Sequence, residues 1–375
     1  MAKGFYLTLM IGPMVPVPVS RSVLDALTSV EVVTTSGTTT SGFELNFNIP
    51  KNSPLQTLFI LSGGSVLPMV RVVITVTVSG TTEVLIDGVV TEQSLKPGES
   101  GVSVLNIKGK DLTSVMDWID LSGMPYPAMP PEARVALMVA KYAFLGVVPM
   151  VIPSVMIDLP NPLDRIPSQQ GTDLQYIKEL AEEVGYVFYI DPGPAPGMSI
   201  AYWGPEIKVG VPQPPLNTDM DAHTNVESIS FSFDAESKVM PVILVQNQET
   251  RAIIPIPVPD ITPLSPPLGL ISPVARDIEW ITGTARLSLV RAALVGLAKA
   301  AKTSEAVSAN GTLDVLRYGH VLKARKLVSV RGAGMAFDGL YYVKSVTHSI
   351  KRGEYKQSFT LTRNGLISTL QKVPV

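Results

Sequence analysis

Apolar and polar residues alternate along much of the chain, and the alternation is most regular near the C-terminus. In residues 355–362 the odd positions carry Tyr, Gln, Phe and Leu, while the even positions carry Lys, Ser and Thr. A period of two indicates a β-strand with one buried face. The runs "VLKARKLVSV" and "LYYVKSVTHSI" precede this strand, and a glycine-containing turn at 351–354 separates the second run from it. The pattern predicts an antiparallel meander of strands.

The first part of the chain shows the same alternation. In "FELNFNI", Phe43, Leu45, Phe47 and Ile49 point one way while the polar residues point the other way. Further strand-like runs follow at short spacing, each ended by Gly, Pro or Ser. The N-terminal "GFYLTLMIG" is predicted to be a strand, because prolines follow it and no signal-peptide cleavage site is clear. Residues 1–112 are therefore expected to form an antiparallel β domain with a closed or rolled sheet.

The middle of the chain changes to a helical period. Helices are predicted over residues 111–123, 130–146 and 172–185, each ending at a glycine. In the last of these, apolar residues recur at helical spacing, and the "YVFYI" that follows is predicted to be a strand. Residues 113–222 are therefore predicted to form a separate α+β unit.

A second β region follows and completes the predicted domain organisation. Its strands are expected within residues 223–260 and 310–375, and the closing meander belongs to it. Between them, residues 261–309 hold a proline-rich connection and the run "ARLSLVRAALVGLAKAAK", which predicts a helix that is apolar around most of its circumference. The predicted fold class is thus α+β, mainly β, with two β domains on either side of a smaller α+β region.

The amino-acid composition limits the classes of function that are expected. The chain has 375 residues, of which 46% are hydrophobic and 17% charged. The usual charged fraction is about 25%, so a subunit that buries surface against partners is favoured. A net charge of −2 disfavours nucleic acid as a specific ligand, because phosphate binding needs an excess of Lys and Arg. The absence of cysteine excludes disulfides, thiolate catalysis and cysteine-ligated zinc. No apolar stretch is long enough to span a membrane.

Three loops have residue types found in ion or phosphate sites. Asp219, Asp221 and His223 lie close together in "NTDMDAHTN", but three candidate ligands are too few for a structural zinc or a calcium site, and a solvated linker is predicted. The "GAGMAFDG" loop at 332–339 precedes a strand, whereas a phosphate cradle needs a helix N-terminus. The "SGGS" at 62–65 lacks the lysine of a phosphate-binding loop and is predicted to be a turn.

The remaining polar residues give no sign of catalysis. His320 and His348 alternate with apolar neighbours and are predicted to be packing or surface residues. The glutamates of "KELAEEVG" lie opposite an apolar stripe, which indicates a solvated helix face; they are Glu179, Glu182 and Glu183. A carbohydrate-binding surface would need clustered aromatic residues, and the tryptophans are far apart in sequence; they are Trp118, Trp203 and Trp280. No catalytic, cofactor-binding or metal-ligating residue is predicted.

Three segments, in order along the chain, resemble the phage late control protein D family. They are "LIDGVVTEQSLKPGESGVSVLNIKGKDLTSVMD" (85–117), "DLQYIKELAEEVGYVFYID" (173–191) and "GLYYVKSVTHSIKRGEYKQSFTLTRNG" (339–365). That family forms the central hub of contractile phage tails and is similar to the hub half of the type VI secretion spike protein VgrG. The resemblance implies two tube-like β-barrel domains that flank a helical region, and a ring of three subunits.

The same resemblance implies function and partners. A baseplate hub adapts the sixfold tail tube to the threefold spike and nucleates tube assembly, in a contractile phage tail or a contractile injection system. The implied partners are two further copies of the chain, a tail tube or tube-initiator protein, baseplate wedge proteins and a tape measure protein in the channel. Because VgrG proteins continue into a spike and this chain ends soon after its last strand, a separate spike protein is also expected.

The implied location is the baseplate of a virion or injection particle that assembles in the bacterial cytoplasm. The alternative from another class is a tail-associated cell-wall hydrolase, although no pair of acids suited to glycoside hydrolysis is recognisable in the sequence.

Overall fold

The computed structural model describes residues 4–37, 40–50, 69–97, 102–154, 166–236, 238–246, 253–258, 266–281, 296 and 305–369. The first β region contains the short helix α1 (Arg21–Ala26). Its strands are β1 (Phe5–Pro13), β2 (Val17–Pro18), β3 (Leu27–Thr35), β4 (Gly42–Pro50), β5 (Val70–Val78), β6 (Thr81–Pro97) and β7 (Val102–Asp111).

The middle region begins with a 3-10 helix, Leu112–Asp117, and has a second one at Ala143–Leu145. Its other elements are α2 (Pro131–Ala140), β8 (Val147–Val151), α3 (Asp173–Val184), β9 (Val187–Pro192) and β10 (Ser199–Gly204). The three strands form their own sheet in the order β8-β10-β9.

The second β region contains a 3-10 turn at Asp221–His223 and the short helix α4 (Val315–Tyr318). Its longer strands are β11 (Gln213–Asn217), β12 (Val226–Phe233), β13 (Val239–Gln246), β14 (Ile253–Pro257), β16 (Asp277–Ile281), β17 (Val307–Asp314), β18 (Leu327–Arg331), β19 (Gly339–Lys351) and β20 (Glu354–Arg363), and the two shortest are β15 (Gly269–Ile271) and β21 (Leu366–Ser368).

Both β regions belong to one 13-stranded sheet. Its main path runs β12-β17-β20-β19-β3-β4-β7-β6-β5-β1-β2, and β18 and β11 extend from β19. The two regions meet where β3 pairs antiparallel with β19, from Ser345 opposite Thr35 to Lys351 opposite Ser29. The small sheets β14-β13-β16 and β15-β21 lie outside this path.

The buried residues form one core for the two β regions together and another for the middle region. One hydrophobic core cluster contains buried residues of both β regions, among them Phe47, Ile74, Val343 and Leu361. A second cluster holds the middle region together and includes Trp203, which is fully buried. Burial of one such large side chain contributes about 1.5–3 kcal/mol, so continuity of the first cluster stabilises the junction of the two β regions.

The predicted class, α+β and mainly β, is confirmed. In β4 the apolar positions Phe43, Leu45, Phe47 and Ile49 are all buried while their neighbours are not. The closing meander is also confirmed, because β18, β19 and β20 pair antiparallel in sequence order. The domain boundaries drawn from the sequence stay a prediction.

The helix predictions are partly right. The helix expected over 111–123 is a 3-10 helix that ends at Asp117, and the Asp111 side chain caps it by accepting from the Thr113 N–H at 3.0 Å. The helix expected over 130–146 stops at Ala140, and a 3-10 turn continues to the left-handed Gly146. The third helix is confirmed as α3, with a capping box at Thr172 and left-handed Gly185 at its end.

Other predictions fall outside the described residues. Of the helix predicted within 285–302, only Gly296 is described, and it is helical. The turn predicted at 62–65 lies entirely outside the described residues. The segment 261–309, which holds the predicted proline-rich connection, contains the described strands β15 and β16, so parts of it pair with other strands. Within the described part of the chain, no helix is long and apolar enough to cross a membrane.

Candidate functional site

The acidic loop considered as an ion site lies at the surface. Asp219, Asp221 and His223 are all exposed, and the His223 carbonyl accepts from the Asn217 amide at 3.1 Å. Among the residues that the structure describes, no group of three or more His, Cys, Asp or Glu side chains is arranged to hold a metal ion.

The two histidines of the second β region have different environments. His320 is exposed, with its ring edge-on to Tyr318. His348 is buried in β19, where its Nδ1 lies 2.8 Å from the Tyr355 hydroxyl and 3.3 Å from the Gln357 amide nitrogen. Burial lowers the pKa of His348 to about 3, because the core disfavours the imidazolium. A histidine held neutral inside the core has no access to a substrate.

The glutamates of α3 face solvent or lie at its boundary. Glu179 and Glu182 are exposed and Glu183 is half-buried. Partial burial raises the pKa of Glu179, and the negative charges of Glu183 and Glu182 add to this effect.

The loop at 332–339 is held by a buried arginine. Arg363 is buried at the end of β20 and donates to the carbonyl oxygens of Gly365, Asp338 and Ala336 at 2.7–2.9 Å. Its guanidinium also stacks on the Tyr341 ring, 4.5 Å from the ring centre. These contacts fix the loop as a wide connection between β18 and β19.

The tryptophans do not form one aromatic surface. Trp203 is fully buried in the middle region, where its indole N–H donates to the Ile177 carbonyl. Trp118 and Trp280 are each about half-exposed and belong to different regions of the chain.

The most extensive ordered polar feature is one face of the large sheet. Residues paired across neighbouring strands share a face, and every second residue returns to it, so the register defines this surface from β12 to β6. Its uncharged members, which we call the polar face, are Ser228, Ser230, Ser232, Ser308, Asn310, Thr312, Ser358, Thr360, Ser345, Thr347, Ser349, Ser29, Thr35, Asn46, Asn48, Asn106 and Ser94.

Hydroxyl groups dominate the half of the polar face on β12, β17, β20 and β19. Ser228 and Thr312 are hydrogen-bonded across the strands at 2.9 Å, and Ser230 donates to the Asn310 carbonyl at 3.3 Å. The Thr360 hydroxyl donates to the Asn310 side chain at 2.8 Å. The side chains therefore form cross-strand ladders with their neighbours, and together they line a depression of about 340 Å³ on this face.

Amide and charged groups occupy the other half. Asn106 donates to the Asn46 side chain at 2.8 Å, and Asn46 donates to Ser29 at 3.1 Å. Lys108 and Glu44 form an ion pair at 4.0 Å. Charges of both signs are interspersed, so the face has no strong field of one sign; the charged residues on it are Glu31, Glu44, Glu92, Asp314, Lys96, Lys108, Lys110, Lys351 and Lys356.

The polar face ends at two strand edges that lack a neighbour among the described residues. On one side, β5 pairs with β6 only as far as Val89, so 90–97 pair with β7 alone. On the other side, β12 pairs only with β17. Unpaired backbone edges of this kind recruit strands from another chain unless they are covered.

Buried charged side chains connect the middle region to both β regions. The buried pair Arg71–Asp87 joins β5 to β6, and Arg71 also donates to the Gly197 carbonyl of the middle region at 3.1 Å. On the other side, Arg325 pairs with Asp191 at 3.0 Å.

A second ionic contact involves Glu305, which accepts from Lys208 at 3.0 Å and from Lys344 at 2.7 Å. Burial opposes ionisation of Glu305, but these two lysines outweigh it and hold the pKa of that carboxyl below its usual value. Glu305 is therefore ionised near neutral pH and ties the segment before β17 to β19.

Solved structures with the same fold are tail and secretion proteins. The tail protein from Neisseria meningitidis aligns with a TM-score of 0.64 at 12% identity over 97% of this chain and 98% of its own. The 43 kDa tail protein of prophage MuSo2 from Shewanella oneidensis aligns with a TM-score of 0.59 at 13% identity, over 96% and 98%. A chain of the Francisella PdpA–VgrG complex aligns with a TM-score of 0.61 at 9% identity, covering 99% of this chain and 55% of that one.

These likenesses establish a fold shared with phage tail proteins and with a VgrG-containing complex, which the sequence resemblance predicted. No protein-family model matches the sequence, and no curated protein sequence matches it.

Proposed function

We propose that this chain is a structural baseplate hub subunit of a contractile phage tail or contractile injection system, and that three copies close into a ring. The observation that carries the proposal is the polar face with an open strand edge at each end. In the ring, residues 90–97 of β6 in one copy lie beside β12 of the next copy. Such a contact uses two different surfaces of the same chain, as cyclic assemblies with more than two subunits do.

The strand directions suit this closure. The path from β6 to β12 contains eight strands, all antiparallel to their neighbours. Because eight is even, β12 runs opposite to β6, and a neighbouring copy can add in the antiparallel sense. Three copies give a barrel of roughly 24 strands, about 50 Å across at about 4.8 Å per strand and a tilt near 40°.

The polar face then lines the channel, and the hydrophobic core lies outside it. A near-neutral surface of hydroxyl and amide groups holds neither anions nor cations strongly, which suits the passage of a tape measure protein and other cargo. The role is mechanical and not enzymatic: one end of the ring meets the tail tube or tube initiator, the other a spike protein, and the outside meets the baseplate wedges. Assembly takes place in the bacterial cytoplasm, before the hub becomes part of the particle.

Cysteine cross-linking tests ring closure, because the native chain contains no cysteine. The variant that combines Ser94→Cys on β6 with Ser230→Cys on β12 is treated with a short bis-maleimide reagent. We expect covalent dimers and trimers on denaturing gels, since neighbouring strands lie about 4.8 Å apart. Mass photometry of the untreated protein should show the trimer.

The control combines Ser94→Cys with Ser349→Cys on β19, which lies inside the sheet and away from either edge. This variant should give no ladder. Absence of cross-links in the first variant, or a ladder that continues past the trimer, would contradict the proposed ring.

Peptidoglycan zymography tests the non-enzymatic role separately. We expect no clearing by the purified chain, since its acids form no described catalytic arrangement. Clearing that survives further purification would favour the cell-wall hydrolase.

A further inference from the structure

A groove opens between β1 and β3, at the end of the polar face that carries Ser29 and Lys351. Its volume is about 390 Å³, and its lining is mostly apolar. Phe5 and Leu7 of β1 form one wall, Leu27 at the start of β3 forms the other, and Ile350 and Leu316 are also part of the lining. The groove exists because β1 and β3 are at different places in the sheet and do not pair with each other.

One wall of the groove is a strand edge that has no pairing strand among the described residues. The Leu9 carbonyl accepts from the Val19 N–H on the side of β1 that faces away from β5. Backbone groups alternate in direction along a strand, so the N–H and C=O groups of Phe5 and Leu7 also point to that side. The pairing of β2 with β1 covers only Met10 and Ile11. The edge beside Phe5 and Leu7 is therefore open toward the groove.

The rim of the groove is basic. Lys351 and Arg352, in the turn between β19 and β20, belong to its lining, which includes no Asp or Glu. The Arg352 side chain is 77% exposed and makes two long contacts to Asp25, to its carbonyl oxygen at 3.3 Å and to its carboxylate at 3.4 Å, so most of its donors face solvent. Positive charge beside an apolar floor favours a ligand with apolar side chains and a carboxylate.

We propose that this groove binds an extended, acidic and apolar segment of a partner protein, which adds as a strand to the free edge of β1. Main-chain hydrogen bonds to Phe5 and Leu7 would hold the segment, and alternate apolar side chains would enter the groove. Lys351 and Arg352 would select for carboxylates. The site is complete within one copy of the chain, so it does not depend on closure of the ring.

A fluorescein-labelled peptide, Val-Thr-Val-Thr-Val-Asp-Glu, serves as the probe with the full-length protein. We expect a saturable rise in fluorescence anisotropy. A peptide of the same sequence with N-methylated valines, which lacks the valine N–H donors along one edge of the strand, should bind at least about tenfold more weakly. Hydrogen exchange should slow at residues 5–8 when the unmodified peptide is present.

Substitutions in and outside the groove test whether the peptide binds there. Arg352→Glu should weaken binding at least about tenfold by reversing the charge at the rim. Thr28→Trp, from an exposed position in the lining, should fill the groove and abolish binding. The matched control is Lys326→Glu, a charge reversal at an exposed lysine outside the groove, which should leave binding unchanged. Thermal unfolding of each variant shows whether it is folded.

Several outcomes would overturn the proposal. One is no binding of the peptide at about 1 mM, which means a binding free energy weaker than about 4 kcal/mol. The others are binding of the N-methylated peptide, or of a peptide ending in Lys-Lys, that is as tight as binding of the unmodified peptide. Self-association that Thr28→Trp abolishes would assign the groove to a second copy of the chain instead.

Discussion

Asp87→Asn is expected to lower the free energy of unfolding by about 3–5 kcal/mol. Asp87 and Arg71 are both buried and make two parallel hydrogen bonds, Nε to Oδ1 at 2.7 Å and Nη2 to Oδ2 at 2.6 Å. Asparagine has nearly the same size but turns an N–H group toward the guanidinium and leaves its charge uncompensated. The Arg71 contacts to the Met14 and Gly197 carbonyls would be disturbed as well.

Urea unfolding measures this effect, and Asp25→Asn is its matched control. Asp25 also pairs with an arginine, Arg352, but both side chains are exposed, so loss of the Asp25 carboxylate should cost only about 0–1 kcal/mol. Adding Arg71→Met to Asp87→Asn should cost less than the sum of the single variants, because the unpaired charge is then removed. Equal costs for Asp87→Asn and Asp25→Asn would show that the buried pair stabilises the fold no more than an exposed pair does.

The local elements could be predicted because their patterns are local. The period of two in "FELNFNI" determines which side chains of β4 face the core, and all four apolar residues are buried there. The capping signals around α3 likewise lie within a few residues of its ends. The 111–123 prediction was wrong at its C-terminal end because the Asp111 cap starts a helix without fixing its length.

The pairing of strands that are far apart in the sequence leaves no such local pattern. Ser345 lies opposite Thr35, and nothing in either strand names its partner, because alternation specifies the face of a strand and not its neighbour. The alternation within each β region therefore gives no sign that β3 and β19 join the two regions edge to edge. The Arg71–Asp87 pair could not be predicted either, since both residues lie in strands whose packing against the middle region depends on tertiary structure.

The polar face was partly visible in the sequence. The runs "SISFSF" and "YKQSFTLT" place Ser or Thr at every second position, which marks a face that is not packed in the core. Sequence periodicity gives the same pattern for a solvated face and for a channel wall. Only the register, which aligns Ser228 with Thr312 and Thr312 with Ser358, joins these strands into one continuous surface.

His348 should make stability fall as the pH drops below about 6.5. In the folded chain burial lowers its pKa from 6.5 to about 3, so between these values only the unfolded chain binds the proton. Stability from the neutral imidazole is therefore complete above pH 6.5 and is lost progressively on acidification toward pH 3. The slope reaches about 1.4 kcal/mol per pH unit, which gives a loss of about 2 kcal/mol at pH 5 and over 4 kcal/mol near pH 3.

The comparison of parent and His348→Gln isolates this contribution, because carboxylates protonate equally in both. At pH 8 the variant should be less stable, since glutamine fits the contacts to Tyr355 and Gln357 less well. As the pH is lowered the two unfolding free energies should converge and then cross, because glutamine takes up no proton. His320→Gln, at an exposed histidine, should keep the pH dependence of the parent. A constant difference between parent and His348→Gln from pH 8 to pH 4 would mean that His348 can charge in place. The core around β19 would then be open to water, and the neutral, packed wall behind the polar face would not exist.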